Sequence, residues 1–365
     1  VSCEGTTDES QTFNVTVKPT TTVTDNIDDQ FICTGDSTDP VTIESATENA
    51  TFSWEIITPW EGFIQNIINT SGDTNIIPAE ELIFVNTDPP LEPFVIEYEI
   101  TPSAPAGEND NDCEGTTYTY SVTVLPLGQV DDFDDIIECA GEDIGPINFS
   151  TENTGGDTSY EWTNNNTAIG LAAEGDLDFI PSFTATAGLN SETAIITVTP
   201  TFTYDGVSCV GPAKTFTIKV NPNGQVNDVP SQVVCNGQET AEVVFSTNNT
   251  DGETEFNWTN NNTSTGLLEL EGTGPIPSFV GTAGTAPEIS TIVVTPTYTN
   301  NGIECVGDSF TFTITVNPTP TMNPLEDIEV CNGEDVTINF TTDNIGGDTT
   351  YIWSAAQGNL IGLDP

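Results

Sequence analysis

The chain repeats itself, and that confines the folds open to it. Cys33-Thr-Gly-Asp, Cys139-Ala-Gly-Glu, Cys235-Asn-Gly-Gln and Cys331-Asn-Gly-Glu share one pattern. The last three lie 96 residues apart, and the first lies 106 residues before the second. A second set, Cys3-Glu-Gly, Cys113-Glu-Gly, Cys209-Val-Gly and Cys305-Val-Gly, leads each time into an alternating segment: Thr12 to Val17, Thr117 to Val124, Thr215 to Val220 or Thr311 to Val316. Each segment stops at a proline, Pro19, Pro126, Pro222 or Pro318. Trp54, Trp162, Trp258 and Trp353 hold a third register position. Three markers on one period define whole repeats at 20–126, 127–222 and 223–318. The last strand of an earlier repeat precedes them (1–19), and the first half of a later one follows (319–365). A fixed period of this kind belongs to arrays in which each unit meets mainly its neighbours.

Within a repeat the vocabulary is β. In 223–318 the expected strands are Gln232 to Cys235, Ala241 to Ser246, Glu255 to Thr259, Thr291 to Thr299 and Ser309 to Val316. Turns are expected at Asn236-Gly237 and Asn249 to Gly252, with a tight hairpin around Asn300-Asn301-Gly302. Phe256 and Trp258 alternate onto one face. About seven short strands per repeat, with a tryptophan on the third, predict a two-sheet sandwich of immunoglobulin type. The four tryptophans are read as core, because large aromatics dominate such cores. The fold class is therefore all-β: tandem Ig-like sandwiches set head to tail as a rod.

Charge removes most functions. There are 57 acidic residues against three lysines, with no arginine and no histidine, for a net charge of −54. Nucleic acid needs cationic side chains to neutralise phosphates, and anionic lipid repels such a chain. Arginine clamps for phosphate are absent, as are histidine bases and metal ligands, so an enzyme is not expected. Aromatic content argues against a disordered acidic polymer: five Trp, seven Tyr and 18 Phe. No stretch reaches the roughly 20 apolar residues of a membrane span. The opening Val1-Ser2-Cys3-Glu4-Gly5 matches the middle of a later repeat, so the chain is expected to be a segment of something longer.

The Phe-Ser-Thr strand ends, the Asp251-Gly252 turn and the aromatic-x-Trp strands resemble the polycystic-kidney-disease (PKD) domain. The Cys-x-Gly-Glu start, Val-Thr-Pro-Thr-Phe-Thr at 198–203, the Cys-Val-Gly hairpin and the closing Val-Asn-Pro sharpen this. They are similar to the PKD-like repeats of giant Bacteroidota surface adhesins, the gliding-motility adhesins of the SprB type. The second and third repeats carry the resemblance most closely; the first departs by an insertion, 58–93, with Trp60 and Pro89-Pro90. The resemblance implies a long secreted filament, exported across the outer membrane and held at the cell surface for attachment or gliding. Its partners would be neighbouring repeats of the same chain, with the substratum, glycans or surface proteins beyond them. It implies no catalytic residue and no cofactor.

Calcium is the one cation considered, since hard oxygen ligands suit it. Asp131, Asp132, Asp134 and Asp135 follow the Pro126 junction; Asp25-Asn26-Ile27-Asp28-Asp29 is the equivalent run, and Asn227-Asp228-Val229-Pro230 has lost most acids. A solvated acidic face is the preferred reading of these runs. Asn164-Asn165-Asn166-Thr167 and Asn260-Asn261-Asn262-Thr263 contain Asn-x-Thr sequons and are read as turn chemistry; threonine-rich surface is left open to O-linked sugar. The rival to a stalk is a binding module, in which insertion 58–93 presents Trp60 and Phe63 to a glycan or protein.

Eight cysteines imply disulfides in an oxidising compartment. Three pairings fit the period. The favoured one stays within a repeat, Cys139 to Cys209 and Cys235 to Cys305. A second bridges the junction, Cys113 to Cys139 and Cys209 to Cys235, with Cys3 to Cys33. A third staples neighbours, Cys33 to Cys209 and Cys139 to Cys305. Loop entropy does not choose between them, and geometry is the stricter judge.

Overall fold

The computed structural model describes residues 12–354 except 16, 19, 25–26, 86–90 and 105–112. Cys3, Pro19, Asp25-Asn26 and Pro89-Pro90 lie outside the described residues.

Three six-stranded sheets of the same plan form the frame. In the third, the order across the sheet is Gln232–Cys235, Phe310–Asn317, Glu288–Asn300, Glu253–Asn260 and Glu271–Thr273. The first of these strands pairs in parallel with the last strand of the repeat; the other pairs are antiparallel. Glu288–Asn300 alternates cleanly, turning Ser290, Ile292, Val294 and Tyr298 inward, as a half-buried strand must. The tight turn differs from expectation in its partner. Asn301 and Gly302 both take positive φ, 51° and 78°, and fold Ile303–Val306 back on the outer half of Glu288–Asn300. The last strand then uses the inner half of the same edge.

The opposite layer is thin. It consists of two-residue ladders such as Val41–Thr42 with Ile76–Ile77 and Ile147–Asn148 with Phe179–Ile180. Ala241 to Ser246, expected as a strand, forms only a bridge from Val243 to Ile276. Its burial still alternates, with Val243 and Phe245 inside and Val244 outside. The ladder does not lengthen because the N–H groups that would continue it are taken elsewhere, Gly274 by the Phe256 carbonyl and Ala241 by the Gln232 side chain.

Each sheet closes over its own core, containing Trp54, Trp162 or Trp258, all under 5% exposed. Trp353 is a correction: it is 40% exposed. Residues 319–354 form no strand, so no sheet exists there to cover it. The strand expected over Thr12 to Val17 is likewise not formed among the described residues, and Phe13, Val15 and Val17 are exposed. A strand without a neighbour leaves its backbone groups unpaired and is not stable alone. Among the described residues no helix is long and apolar enough to cross a membrane.

Candidate functional site: the joint between repeats

The chemistry that sets this chain apart lies where one repeat meets the next. The parallel first strand fixes it. Pairing Gln30–Cys33 beside Tyr118–Leu125 brings Cys33 opposite Leu125, at the far end of the last strand. Cys139 comes opposite Asn221 in the same way, and Cys235 opposite Asn317. The hairpin cysteine lies at the other pole: Cys209 pairs with Phe202 and precedes the start of Lys214–Asn221. The length of that strand separates the poles, about 23 Å at ~3.3 Å per residue. Cys139 therefore does not reach Cys209, nor Cys235 Cys305, and the favoured within-repeat pairing is not formed. Nor are the junction pairs. The structure bonds Cys33 to Cys209 and Cys139 to Cys305, each with Cα atoms 5.5 Å apart. Each bond ties the first strand of one repeat to the hairpin of the next. Cys113, Cys235 and Cys331 are free and exposed.

The two joints share a plan but differ in chemistry. Around Cys33–Cys209 the contact is apolar: Leu125 and Phe202 are fully buried, with Tyr204 and Val207 against them. Around Cys139–Cys305 the equivalent positions carry Asn221 and Tyr298, both also fully buried. Buried polar groups require partners, and here they have them. Asn221 accepts from the Ser191 hydroxyl and donates through Nδ2 to the Asn300 carbonyl. The Tyr298 hydroxyl donates to Asp251 at 2.9 Å. Asn300 donates to the Asp251 carbonyl, and the Ser191 N–H to the Asp251 carboxylate. Leucine packs in one cluster with phenylalanine in one joint, and asparagine and tyrosine share the Ser191 hydroxyl in the other.

The linkers are pinned. Gly128 and Gly224 donate their N–H groups to the Cys209 and Cys305 carbonyls. A Thr-x-Asn turn recurs at Thr151 to Asn153, Thr247 to Asn249 and Thr342 to Asn344; in each, the threonine hydroxyl oxygen accepts the asparagine N–H. The asparagine then accepts from a linker N–H, at Gln129, Gln225 or Thr321. Sequence reading missed this turn, although its spacing recurs with the period.

The acidic run beside the first joint is spent within its own repeat. Asp131 accepts from Ser150, Asp132 pairs with Lys214, and Asp135 accepts the Thr217 N–H at 2.7 Å. That backbone bond holds the Asp135 carboxyl below its ordinary pKa. Asp134 is exposed, and Phe133 turns into the core against Phe216. Asp29 does for Ser121 what Asp135 does for Thr217, and Ser231 does it for Thr313. The position needs an acceptor, not a charge. Among the described residues no group of three or more candidate ligands could hold a metal ion.

The asparagine runs are structural. Asn164 and Asn260 are buried and donate to the Leu171 and Leu267 carbonyls. Asn165 and Asn261 accept strand N–H groups from Ile195 and Thr291. Asn166 and Asn262 cap short 3-10 turns. Insertion 58–93 adds Ile64, Leu82 and Phe84 to the first core. Its carboxylate Glu80 is buried and accepts from the Ile68 and Asn69 N–H groups. Trp60 is half-buried, and Phe63 stacks on Phe94 with ring centroids 5.0 Å apart.

Parallel first and last strands, thin opposite layers and repeated joints define a tandem array of immunoglobulin-like β-sandwiches. The PKD-like domain family matches residues 30–127 and 232–320, just over half of the chain, and the chain belongs to that family. The matched spans take in the first repeat, insertion included, and the third, so the insertion does not set the first repeat apart as its sequence suggested. No curated protein is similar to the chain. Among solved structures, the human desmocollin-1 ectodomain is 12% identical over 86% of this chain and 65% of that one, with a TM-score of 0.31. The chain thus spans less than two thirds of that ectodomain. Mouse cadherin-23 EC22-24 is 9% identical over 83% and 99%, with a TM-score of 0.37. Three N-terminal domains of the outer capsid protein Hoc of bacteriophage RB49 are 11% identical over 82% and 99%, with a TM-score of 0.33.

Proposed function

We propose that the chain is a stalk segment of a long extracellular filament, in which sandwich repeats stacked head to tail transmit tension. The observation that carries this is the pair of bonds Cys33–Cys209 and Cys139–Cys305, each joining neighbouring repeats rather than closing one. A bond of that kind prevents two sandwiches from being pulled apart even when one of them unfolds. The pinned linkers and buried joints support the same reading, since they hold successive repeats in one relation. The acid excess keeps such rods apart in solution. On the resemblance to giant Bacteroidota adhesins, the parent filament leaves the cell by the type 9 route and serves attachment or gliding. Insertion 58–93 supports the stalk through Ile64, Leu82 and Phe84, which thicken the first sandwich, while Phe63, 54% exposed, is the residue on which a ligand-binding reading would rest. Small-angle scattering of the 365-residue chain tests the reading. An elongated particle is expected; a maximum dimension near that of a compact sphere of equal mass refutes it.

A further inference from the structure

The joint has a direction, and on the third repeat its receiving cysteine, Cys235, is unbonded. Cys235 occupies the register of Cys33 and Cys139, opposite the end of the last strand. Those two are bonded and half-buried, whereas Cys235 is exposed. Part of the joint beyond Cys235 is already assembled. The Ile345 N–H donates to the Thr285 carbonyl, as Thr154 does to Leu91 and Thr250 to Leu189. Gly346 lies on Pro287 as Gly155 lies on Pro93.

A second observation says what would complete it. At Gly156 and Gly252 an aromatic ring, Phe202 or Tyr298, lies so close that a Cβ would collide with it. In both cases the residue paired directly across from that ring is the hairpin cysteine, Cys209 or Cys305. The knob of each joint is therefore an aromatic–cysteine cross-strand pair. Gly347 holds the corresponding place in the next joint, and no described residue stands over it.

We propose that Cys235 and the face over Gly347 form a receiving site for the cysteine hairpin of a further PKD-like repeat, a two-stranded ribbon with an aromatic side chain opposite its cysteine. This deepens the stalk reading by naming the partner, but it rests on joint geometry and not on particle shape. The bond forms by exchange. The Cys235 thiolate attacks the hairpin sulfur of a mixed disulfide; the new S–S bond forms as the old one breaks, and the displaced sulfur leaves with the electron pair and takes up a proton. Cys331 and Cys113, also exposed, are internal controls. Cys331 has no formed last strand beside it, and Cys113 is itself a hairpin cysteine, with the small Ala104 opposite.

The test uses the whole chain and a synthetic peptide of its own residues 295–307, with the thiol activated as a thiopyridyl disulfide. Peptide mapping then reads which cysteine has captured the peptide. Capture at Cys235 should exceed that at Cys113 or Cys331 by ~10-fold, a preference of about 1.4 kcal/mol. A peptide carrying Tyr298→Ala, or a chain carrying Gly347→Val, should lose most of that preference. A small aromatic disulfide should label all three thiols alike before and after Gly347→Val, which shows their intrinsic reactivity unchanged, and an unaltered circular-dichroism spectrum and melting curve show that the chain remains folded. A backbone-cyclised form of the peptide repeats the measurement with the ribbon preformed. Equal distribution of both the linear and the cyclised peptide over the three cysteines overturns the proposal. So does a preference for Cys235 that survives both ring-seat substitutions. The scattering experiment above is independent of this result, so the partner and the stalk can fail separately.

Discussion

Stretching the protein to full extension should show a length set by its disulfides. Between Cys33 and Cys305 the reduced chain offers about 272 residues, which at ~3.3–3.6 Å each reach about 900–980 Å. The oxidised protein has a shorter route. It crosses from Cys33 to Cys209, runs back along about 70 residues to Cys139, and crosses to Cys305, a span of about 230–250 Å. The forward path from Cys209 stays slack. Reductant should therefore lengthen the taut molecule by about 700 Å between these points. Single substitutions give intermediate values: Cys139→Ser leaves the forward path of about 96 residues, and Cys33→Ser leaves about 106 residues before Cys139. Force spectroscopy with handles at the chain ends reads all four lengths. Within-repeat pairing in all three repeats, Cys33 to Cys113 included, predicts about 52 residues instead, and a taut length matching that value would falsify the staple. The overlap of the two loops has a further consequence. A single backbone cut anywhere between Cys33 and Cys305 leaves the oxidised protein in one covalent piece, so a nicked molecule should hold tension until reductant is added.

The polar joint should be the more fragile to truncation. Asn221→Ala leaves the Ser191 hydroxyl and the Asn300 carbonyl without their buried partner and should cost about 1–3 kcal/mol; calorimetry that shows no loss refutes the network. Alkali should attack the first repeat before the others. Burial raises the pKa of Tyr98 and Tyr120, with Glu80 adding to the effect on Tyr98. A group whose folded pKa is raised contributes stability that is full below its unfolded pKa of ~10 and lost as pH climbs beyond it. Phenolate absorbance from these rings should then appear together with unfolding, and smooth titration in the folded state would contradict this. Asp135 works in the opposite sense. Its lowered pKa gives stability that is present above the ordinary carboxylate range and lost as pH falls through the lowered value; an NMR titration with a normal Asp135 midpoint would remove the effect. Chelation, or Asp132→Asn with Asp134→Asn, should leave the melting of the first two repeats unmoved by calcium, and a shift of several degrees lost in the double substitution would reverse that view.

Repeats and strands were legible in the sequence because their signals are local. A cysteine followed by Gly, an alternating run and a closing proline can be read without knowing what lies beside them. Thr311 to Val316 and Gln232 to Cys235 stand where their patterns place them. Ala241 to Ser246 shows where local reading fails, since its alternation is correct but the donors that would lengthen its ladder are claimed by distant partners, Gly274 by Phe256 and Ala241 by Gln232. Trp353 shows the same dependence from the other side: the residue type is right for a core, and no sheet is formed to make one. The joint was hardest to see because it depends on direction. A parallel first strand sends its cysteine to the pole opposite the hairpin, and an antiparallel one would have permitted the within-repeat bond. No propensity encodes that choice. One signal for it was nevertheless present. At equal positions of the period, Leu125 gives way to Asn221 while Phe202 gives way to Tyr298, two exchanges made together within one joint, where the first pair shares an apolar cluster and the second shares the Ser191 hydroxyl. Aligning the repeats against one another, rather than reading each as a sandwich complete in itself, places the contact between them and with it the pair of cysteines that the contact brings together.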